Sequence, residues 1–307
     1  PGFLHNFSVP QSAEGELYGI PNRMSVDILH YRKDLLEQAG LRVPKTLEEY
    51  YQAAKLLTQD TNGDGKTDIY GATMMGNHQY GMLDWYGWSA GLGGDILTPP
   101  DWGEAAVASD AGVKAMEMRR RFIEEGLASE AVLNYGFDDA INAMAQGKAA
   151  MSIMFSPYYS RLEDSTLSEV SGKMGYAVAP RNPEVKQAYF SRGWALFIPR
   201  ASQNKEAAWK LISFLTNHQN QLSAAINFGN APSRLSVVSD PSYLEKVPVA
   251  NALSEALPRT KALPNISNLP EVYEELRIQL GRGLSGETTP EEALIQAQKS
   301  ITEILNK

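Results

Sequence analysis

Apolar residues recur along the chain in two spacings, and these predict two kinds of element. Short runs rich in β-branched and aromatic residues, bounded by Gly or Pro, are typical of strands. Apolar residues three or four positions apart are typical of amphipathic helices. Strands that alternate with helices place the chain in the α/β class. The predicted strands are 17–20, 26–31, 69–74, 149–155, 176–178 and 194–198, and the predicted helices are 32–40, 46–58, 110–126, 138–147, 205–216 and 290–305.

Residues with special roles at helix ends support three of these boundaries. Thr46 is followed three positions later by Glu49, which is the spacing of a capping box at a helix start. Pro290 suits the first turn of the last helix, where its missing N–H costs nothing. Gly40 suits a helix end, because Gly readily adopts the left-handed conformation found there.

The composition narrows the class of protein. The 307 residues include 28 Lys and Arg, 36 Asp and Glu, and no Cys, and the net charge is −8. The length suggests about two domains of roughly 100–200 residues each. The lack of Cys excludes a disulfide framework, a thiolate metal site and a Cys nucleophile. The mixed, acidic charge argues against a nucleic-acid partner, and no apolar run approaches the roughly 20 residues of a membrane span.

A polar, glycine-rich turn between a predicted helix and a predicted strand has the sharpest local pattern. Its oxygen donors match positions 1, 3, 5 and 9 of an EF-hand calcium loop, and Gly is at position 6. Position 12, which should be Glu, is Gly71. Two interpretations are therefore open, a calcium site and a solvated Asx-rich turn. The residues concerned are Asp60, Asn62, Asp64, Lys66 and Asp68, and no other cofactor is expected.

Sequence motifs for catalysis are absent. The chain has no nucleophile elbow, no zinc-protease motif, no P-loop and no dinucleotide-binding glycine pattern, and its four His are isolated. The acidic pairs 124–125 and 138–139 resemble the carboxylates of glycoside hydrolysis only in type, because such carboxylates must flank a sugar. Adjacent acids on a helix are typical of a solvated face. We expect a protein that is not an enzyme.

Aromatic residues outside the periodic helices are better candidates for a functional site. Trp85 and Trp88 lie in a glycine-flanked segment, Tyr158 and Tyr159 follow a predicted strand, and Trp194 begins one. An aromatic face can stack on the C–H face of a sugar while nearby polar groups bind its hydroxyls. Each ring taken singly could equally be packed in a core. As a set, these rings indicate a cleft for a carbohydrate.

Ordered motifs along nearly the whole chain resemble the sugar-type extracellular solute-binding proteins of family 1. They begin with Gly-Ile-Pro and the segment Ile-Leu-His-Tyr-Arg-Lys-Asp-Leu-Leu-Glu-Gln-Ala-Gly, and they end with Pro-Glu-Glu-Ala-Leu. Each match is loose by itself, whereas their order makes the set specific. The matching segments are 19–21, 28–40, 44–49, 62–66, 68–71, 147–151, 193–199, 204–209, 214–216, 229–234 and 290–294.

The resemblance implies the type II fold of periplasmic binding proteins, two α/β lobes joined by hinge strands, as in maltose-binding protein. The first lobe would comprise 1–27 and 191–230, and the second 28–190 and 231–307. Family members usually carry the opening strands of the first lobe before the Gly-Ile-Pro segment. We therefore expect the first lobe to be only partly present in this chain.

The function implied by the resemblance is that of a receptor that closes around a sugar and delivers it to an ABC importer. The partners would be the permease and ATPase subunits, the receptor would be a monomer, and it would be periplasmic or lipid-anchored at the cell surface. The chain begins at Pro1 rather than Met, so the absence of a signal sequence says nothing about its compartment. The implied ligand contacts are Asn22, Arg23, Met24, Asp84, Trp85, Trp88, Ser156, Tyr158, Tyr159, Arg192, Trp194, Asn230 and Arg234, with His78 and Tyr80 as further candidates.

Two alternatives remain open at this point. A receptor for a non-sugar solute, such as a polyol, a glycerol phosphodiester or an opine-like compound, is one. Convergence of Arg23, Arg192 and Arg234 in the cleft would favour an anionic ligand of this kind. A glycan-processing enzyme is the other, and it requires two carboxylates that face each other in one cleft.

Overall fold

A computed structural model describes residues 19–261, 263–264 and 266–307. Within these residues, five strands form a mixed sheet in which β1 is the central member. β1 runs antiparallel to β2, β3 and β4, whereas the short β5 runs parallel to β4. The strands are β1 Ile20–Arg32, β2 Met151–Phe155, β3 Met174–Val178, β4 Tyr189–Leu196 and β5 Thr260–Lys261.

β1 changes partners halfway along its 13 residues. Its first half pairs with β4, from Ile20 opposite Leu196 to Val26 opposite Ser191. On its other edge the first half meets segment 231–232, where the Met24 amide donates to a backbone carbonyl. The second half lies between β2 and β3. Three chain segments therefore run side by side where β1 changes partners, and we call this region the crossing.

The prediction of two separate strands over residues 17–31 is wrong, because a single strand passes through Pro21. Pro cannot donate to a ladder, and in sheets it is confined to edges, strand starts and bulges. Here the register between β1 and β4 shifts between Pro21 and Arg23, which accommodates the missing N–H. Residues 17 and 18 lie outside the described part of the chain.

Helices surround this sheet and follow most of the predicted spans. The capping box at Thr46 and Glu49 is present, and a second one forms between Thr289 and Glu292 at the start of the last helix. Among the described residues, no helix is long and apolar enough to cross a membrane. The α-helices are α1 Lys33–Gln38, α2 Leu47–Leu57, α3 Gly81–Leu92, α4 Asp110–Glu124, α5 Phe137–Ala145, α6 Tyr159–Leu162, α7 Lys205–Leu215, α8 His218–Phe228, α9 Leu235–Val238, α10 Pro241–Lys246, α11 Ala250–Ala256, α12 Leu269–Ser285 and α13 Pro290–Leu305.

The strand predicted over 69–74 does not form. Its backbone amides bond to several different segments instead of one neighbouring strand. Ile69 bridges Gln59 and Tyr70 bridges Ala149, while the Ala72 amide donates to the Leu127 carbonyl. The apolar content of residues 69–74 cannot show that their backbone amides bond to several segments, because those segments are distant in the sequence.

The main hydrophobic core lies between the second half of β1 and helices α2, α3, α4, α12 and α13. Three rings meet at its centre: Phe122 is 5.5 Å from Tyr50 and 5.4 Å from Trp88. A second cluster packs α5 against β2 through Ile141, Met144 and other apolar side chains. Most members of both clusters lie in the predicted second lobe, whereas Met24, Val26 and Ala225 of the main cluster lie in the predicted first lobe. The division into lobes itself stays a prediction.

Helix α7 behaves differently, because most of its apolar face is exposed. Ile212 is its only buried residue. Trp209, Leu211 and Phe214 expose 51, 57 and 60% of their surface, and Phe228 of α8 exposes 80%. The amphipathic pattern therefore predicted the helix correctly, but within the described residues nothing covers its apolar side.

Candidate functional site

One face of the crossing gathers charged and aromatic side chains from three strands. Side chains on alternate strand positions share a face, and directly paired residues lie side by side. Arg23 pairs with Trp194, and Asp27 pairs with Phe155. Arg192 is two positions from Trp194 and shares its face. We call these five residues, Arg23, Asp27, Phe155, Arg192 and Trp194, the crossing row.

An ion pair between β1 and β4 lies at the centre of the crossing row. Arg192 Nη2 donates to Asp27 Oδ1 at 2.8 Å, and the two side chains expose only 12% and 7% of their surface. The guanidinium carbon is 3.0 Å from the centroid of Phe155 and 4.6 Å from that of Phe190. Among the described residues, Arg192 Nε and Nη1 have no hydrogen-bond partner. The guanidinium is thus held by two rings and a single hydrogen bond.

Burial shifts both members of this pair away from their charged forms. It raises the pKa of the Asp27 carboxyl to about 7, although Arg192 acts in the opposite direction. It lowers the pKa of Arg192 to about 10, although Asp27 opposes that change. A charged side chain removed from water loses solvation that one partner only partly replaces.

A second buried ion pair lies behind the first. Arg119 Nε on α4 is 3.5 Å from Asp84 Oδ1 on α3, and both side chains are 1% exposed. Asp84 Oδ2 also accepts from the Met75 amide at 2.5 Å. The negative charge of Asp84 contributes to the raised pKa of Asp27. Helix α3 comes this close because residue 87 is Gly, where a Cβ would lie 2.9 Å from Asp27 Oδ2.

Asp84, Trp85 and Trp88, which were expected to face a ligand, are all buried in the core, and their contact with a ligand stays a prediction. Trp85 is fully buried, and its Nε1 donates to the Gly112 carbonyl at 3.0 Å. Trp88 is 2% exposed and packs edge-on against Tyr50 and Phe122. A helix that is buried on nearly all sides has no polar face and therefore no amphipathic pattern. Without that pattern, the sequence does not show whether the aromatic residues of α3 are buried or exposed.

Three aromatic rings extend the site beyond Phe155 of the crossing row. Tyr158 stacks on Phe155 with centroids 5.9 Å apart. Phe137 of α5 is 4.4 Å from Phe155, and Tyr80 is 3.9 Å from Phe137. Phe155 is buried, whereas the other three are partly exposed. We call Tyr80, Phe137, Phe155 and Tyr158 the aromatic wall. It contains two predicted residues, Tyr80 and Tyr158.

Trp194 forms the exposed end of the crossing row. Its ring is 46% exposed, and the guanidinium carbon of Arg23 lies 4.1 Å from its centroid. A cation over an aromatic face is attracted by the negative charge density of that face. The predicted residues Arg23, Arg192 and Trp194 therefore share one surface of the crossing, as a common ligand would require.

The predicted residues of β1 and of the third crossing segment have structural contacts instead. Met24 is 3% exposed and points to the face opposite the crossing row. The Asn22 carbonyl accepts from Gln221 Nε2 at 3.2 Å. Arg234 Nε donates to the Thr216 carbonyl. Met24 is buried, and its role as a ligand contact stays a prediction. The bond to Asn22 fastens the crossing to α8, and the bond of Arg234 fastens it to the end of α7.

Ser156, Tyr159 and Asn230 line one narrow gap beside the crossing, which has no room for a water-sized group. Ser156 is fully buried, and its Oγ accepts from the Val26 amide at 3.4 Å. Tyr159 is 8% exposed, and its hydroxyl donates to the Ala225 carbonyl at 3.4 Å. Direct ligand contact of Ser156 and Tyr159 stays a prediction. Both residues join β2 to the crossing.

The polar turn at residues 60–68 is closed by its own hydrogen bonds. Asp60 accepts from the amides of Gly63 at 2.7 Å and Gly65 at 2.8 Å. Asp68 Oδ2 accepts from the amide and hydroxyl of Thr61. Across the residues that the structure describes, no three acidic or His side chains are grouped as a metal site needs. This geometry is that of an Asx-rich turn, and calcium binding stays a prediction.

A separate cavity of about 500 Å³ lies beside β3 and α11. Its lining includes Lys45, Tyr189 and Glu255 but no member of the crossing row or the aromatic wall. Arg181, also in the lining, donates from Nη1 to three backbone carbonyls of its own loop. Its guanidinium therefore has a structural role.

Sequence reasoning missed Asp27, Phe137 and Phe155. Asp27 did carry a signal, because it interrupts an apolar run that was predicted to be a strand. A carboxylate in a buried strand requires a partner, and that partner lies 165 residues away. Phe137 and Phe155 carried no such signal, since single apolar rings are typical of any core.

Comparison with known proteins gives a family match over most of the chain. The family model described as bacterial extracellular solute-binding protein matches residues 3–251. The mannitol-binding protein of Pseudomonas aeruginosa is 29% identical over 94% of this chain and 69% of its own length.

Two solved structures extend the likeness to three dimensions. The maltose-bound MalE3 of T. maritima has a TM-score of 0.86 and 28% identity, over 98% of this chain and 76% of its own. An ABC transporter solute-binding protein of Thermotoga lettingae with bound α-D-tagatose has a TM-score of 0.83 and 31% identity. That match covers 94% of this chain and 72% of the other.

Proposed function

The chain belongs to the bacterial extracellular solute-binding proteins and is a substrate-binding receptor of an ABC importer, and we propose that its ligand is a neutral sugar or sugar alcohol bound at the crossing row. The observation that carries this proposal is the placement of exposed Trp194 and of Arg192, two positions apart on β4, on one face of the crossing. A ring for stacking beside a hydrogen-bond donor is the combination that a polyhydroxylated ligand needs.

A neutral ligand is supported by the way in which the arginines are used. Arg192 is paired with Asp27, and Arg23 lies over the ring of Trp194. Arg234 bonds to a backbone carbonyl of segment 216–217. Arg23 and Arg192 share one face of the crossing, but Arg192 is compensated by Asp27 and Arg234 bonds elsewhere, so the anionic alternatives, a glycerol phosphodiester or an opine-like solute, have less support than a sugar or polyol.

The similar proteins support the same class of ligand. One is named for mannitol, and two were solved with maltose and with α-D-tagatose. These are a polyol, a disaccharide and a ketohexose, and all three are neutral and rich in hydroxyl groups. They do not agree on size, so we propose the class of ligand and leave the individual compound to experiment.

The finer parts of the function follow from the two-lobed expectation. We propose that the lobes close on the ligand about the crossing, where β1, β4 and segment 229–233 run side by side. The closed receptor, acting as a monomer, would dock on the permease, and the ATPase would drive uptake. It would work in the periplasm or on a lipid anchor at the surface, and one similar protein is named as a lipoprotein.

A glycan-processing activity has less support. The carboxylates beside the site, Asp27 and Asp84, are buried, and each is paired with an arginine. Glycoside hydrolysis needs one carboxyl to protonate the leaving group and another to act on the opposite side of the sugar. Two buried carboxylates on the same side of a strand do not provide that arrangement.

The test is isothermal titration calorimetry of the protein with a panel of maltose, D-mannitol, D-tagatose and D-galactose, with D-glucuronate as the acidic comparison. We expect saturable binding of at least one neutral compound and weaker or no binding of glucuronate. Preferential binding of glucuronate would contradict the neutral-ligand proposal. Binding of none of the compounds by a folded protein would contradict the sugar and polyol class.

A further inference from the structure

We propose that Asp27 is a positioning residue for Arg192, so that the affinity for ligand depends on the ionisation of a carboxyl that does not itself contact the ligand. This inference rests on the proposed function, because it concerns the same surface of the crossing. Asp27 lies on β1 and Arg192 on β4, so the pair also connects two of the three segments of the crossing.

The first argument is that little else fixes the guanidinium. Within the part of the chain that the structure describes, Arg192 makes one side-chain hydrogen bond, to Asp27, while Nε and Nη1 have no partner. The rings of Phe155 and Phe190 confine it from the sides but do not fix its rotation in its own plane. If the hydrogen bond to Asp27 is lost, the described residues offer these nitrogens no other acceptor.

The second argument is that the charge of Asp27 can change in the physiological range. Burial raises its pKa to about 7, and the charge of Asp84 acts in the same direction. The charged and titratable groups around the pair are Arg192 from β4, Asp84 from α3 with Arg119 of α4 behind it, and Tyr158 after β2. Of these groups, only Arg192 directly compensates the negative charge of Asp27.

The sign of the effect follows from the protonation states. Above pH 7 Asp27 is ionised, and it holds Arg192 against Phe155. Below pH 7 Asp27 takes up a proton, and the buried guanidinium loses the charge that compensates it. An uncompensated buried cation moves towards water. The ligand then meets a site in which its hydrogen-bond donor is displaced, so affinity falls as the pH falls.

The consequence for the ligand is also specific. Nε–H and Nη1–H have no hydrogen-bond partner among the described residues and are shielded from solvent, and they lie in the same guanidinium that Asp27 orients. The Arg192 side chain is 12% exposed, and a ligand hydroxyl that reaches this exposed part meets a donor whose orientation is fixed in advance, which lowers the entropy lost on binding. Asp27 would thus act on the ligand only through Arg192.

The experiment has a readout that needs no ligand. In NMR spectra of the whole protein, a guanidinium fixed by Asp27 gives a protected Nε–H signal, assigned by its loss in Arg192→Lys. We expect this signal at pH 8, its weakening below pH 7, and its absence in Asp27→Asn. A signal that persists unchanged in Asp27→Asn and at pH 5.5 would overturn the proposal. The wild-type titration decides the matter even if the variant does not fold.

The second readout is the affinity for maltose and D-mannitol from pH 5.5 to 8.5. We expect the wild-type Kd to rise by up to about tenfold per pH unit below 7, the limit for one linked proton. Asp27→Asn should give a weaker and flat profile, and Asp27→Glu should restore a slope. The control Asp138→Asn, at an exposed acid on α5, should keep the wild-type profile. If the wild type binds normally but its Kd does not change with pH, the positioning role of Asp27 is contradicted and the proposed function is not. If the wild type binds neither compound, the proposed function is contradicted, and the NMR result alone decides the positioning role.

Discussion

The guanidinium carbon of Arg23 lies 4.1 Å from the centroid of the Trp194 ring, and the two residues are register partners across β1 and β4. A cation–π contact at a partly exposed site contributes about 0.5–1 kcal/mol. This is enough to favour one orientation of the ring while 46% of the side chain stays exposed. The exposed remainder is the surface on which a sugar can stack.

We predict that Trp194→Ala weakens sugar binding by about tenfold or more, because removal of a central aromatic anchor costs above about 1 kcal/mol. Calorimetry with the tightest compound of the sugar panel measures this change. Trp209→Ala is the matched control, since Trp209 is 51% exposed but lies on α7 outside the site. Equal affinity in both variants would remove Trp194 from the ligand surface.

We predict that Arg119→Met lowers the free energy of unfolding by about 3–5 kcal/mol, because it leaves the Asp84 carboxylate buried without its partner. Urea denaturation provides the measurement. The neighbouring variant Arg120→Met removes a partly exposed pair with Glu124 and should cost below about 1 kcal/mol. Similar losses in the two variants would show that the buried pair is not special. The double variant with Asp84→Asn should recover part of the loss.

We predict that His30 makes the fold less stable in mild acid. It is fully buried, its Nε2 has no partner, and burial lowers its pKa to about 3. Below pH 6.5 the unfolded chain binds a proton that the folded chain excludes, so stability falls by about 1.4 kcal/mol per pH unit.

The variant His30→Phe tests this effect, since a ring at this position still packs against Tyr176. Between pH 7.5 and pH 5 it should gain about 2 kcal/mol over the wild type in urea denaturation. A difference between the two proteins that does not change with pH would show that His30 is not the source.

We predict that Asp60→Ala destabilises the turn, because its carboxylate accepts from the amides of Gly63 and Gly65, which would then bond only to water. Lys66→Ala is the control, since its side chain bears none of these bonds. Thermal melts with and without millimolar calcium complete the test. We expect no calcium dependence. A calcium-dependent rise in the wild type that Asp60→Ala abolishes would instead establish a cation site.

The sequence predicted elements best where the signal was local. The helix start at Thr46 follows from one side chain and the amide three residues on, and the structure has that capping box. Helix α13 spans Pro290–Leu305, as the apolar spacing and the position of Pro290 indicated. Such contacts are encoded within four residues, so no knowledge of the fold was needed.

The site was predictable only in part, because its geometry depends on strand pairing. Arg192 and Trp194 share a face by the two-residue period of a strand, which the sequence does show. The partner of Arg192 and the ring beneath it come from β1 and β2, and no local pattern links them. Trp85 and Trp88 of α3 were predicted to contact the ligand because no local pattern shows that they are buried. Their burial depends on elements that are distant in the sequence.

The change of partners along β1 also has a consequence for how the chain is made. Val26 bonds to a residue 130 positions later, Asp27 to one 165 positions later, and Pro21 to one 212 positions later. At about 5–20 residues per second, the ribosome needs on the order of ten to forty seconds to supply these partners. Until β2 has been synthesised, the apolar run of β1 has none of its native strand partners, and its first half is completed only with segment 229–233. An unpaired apolar strand on a nascent chain is prone to aggregation during this interval.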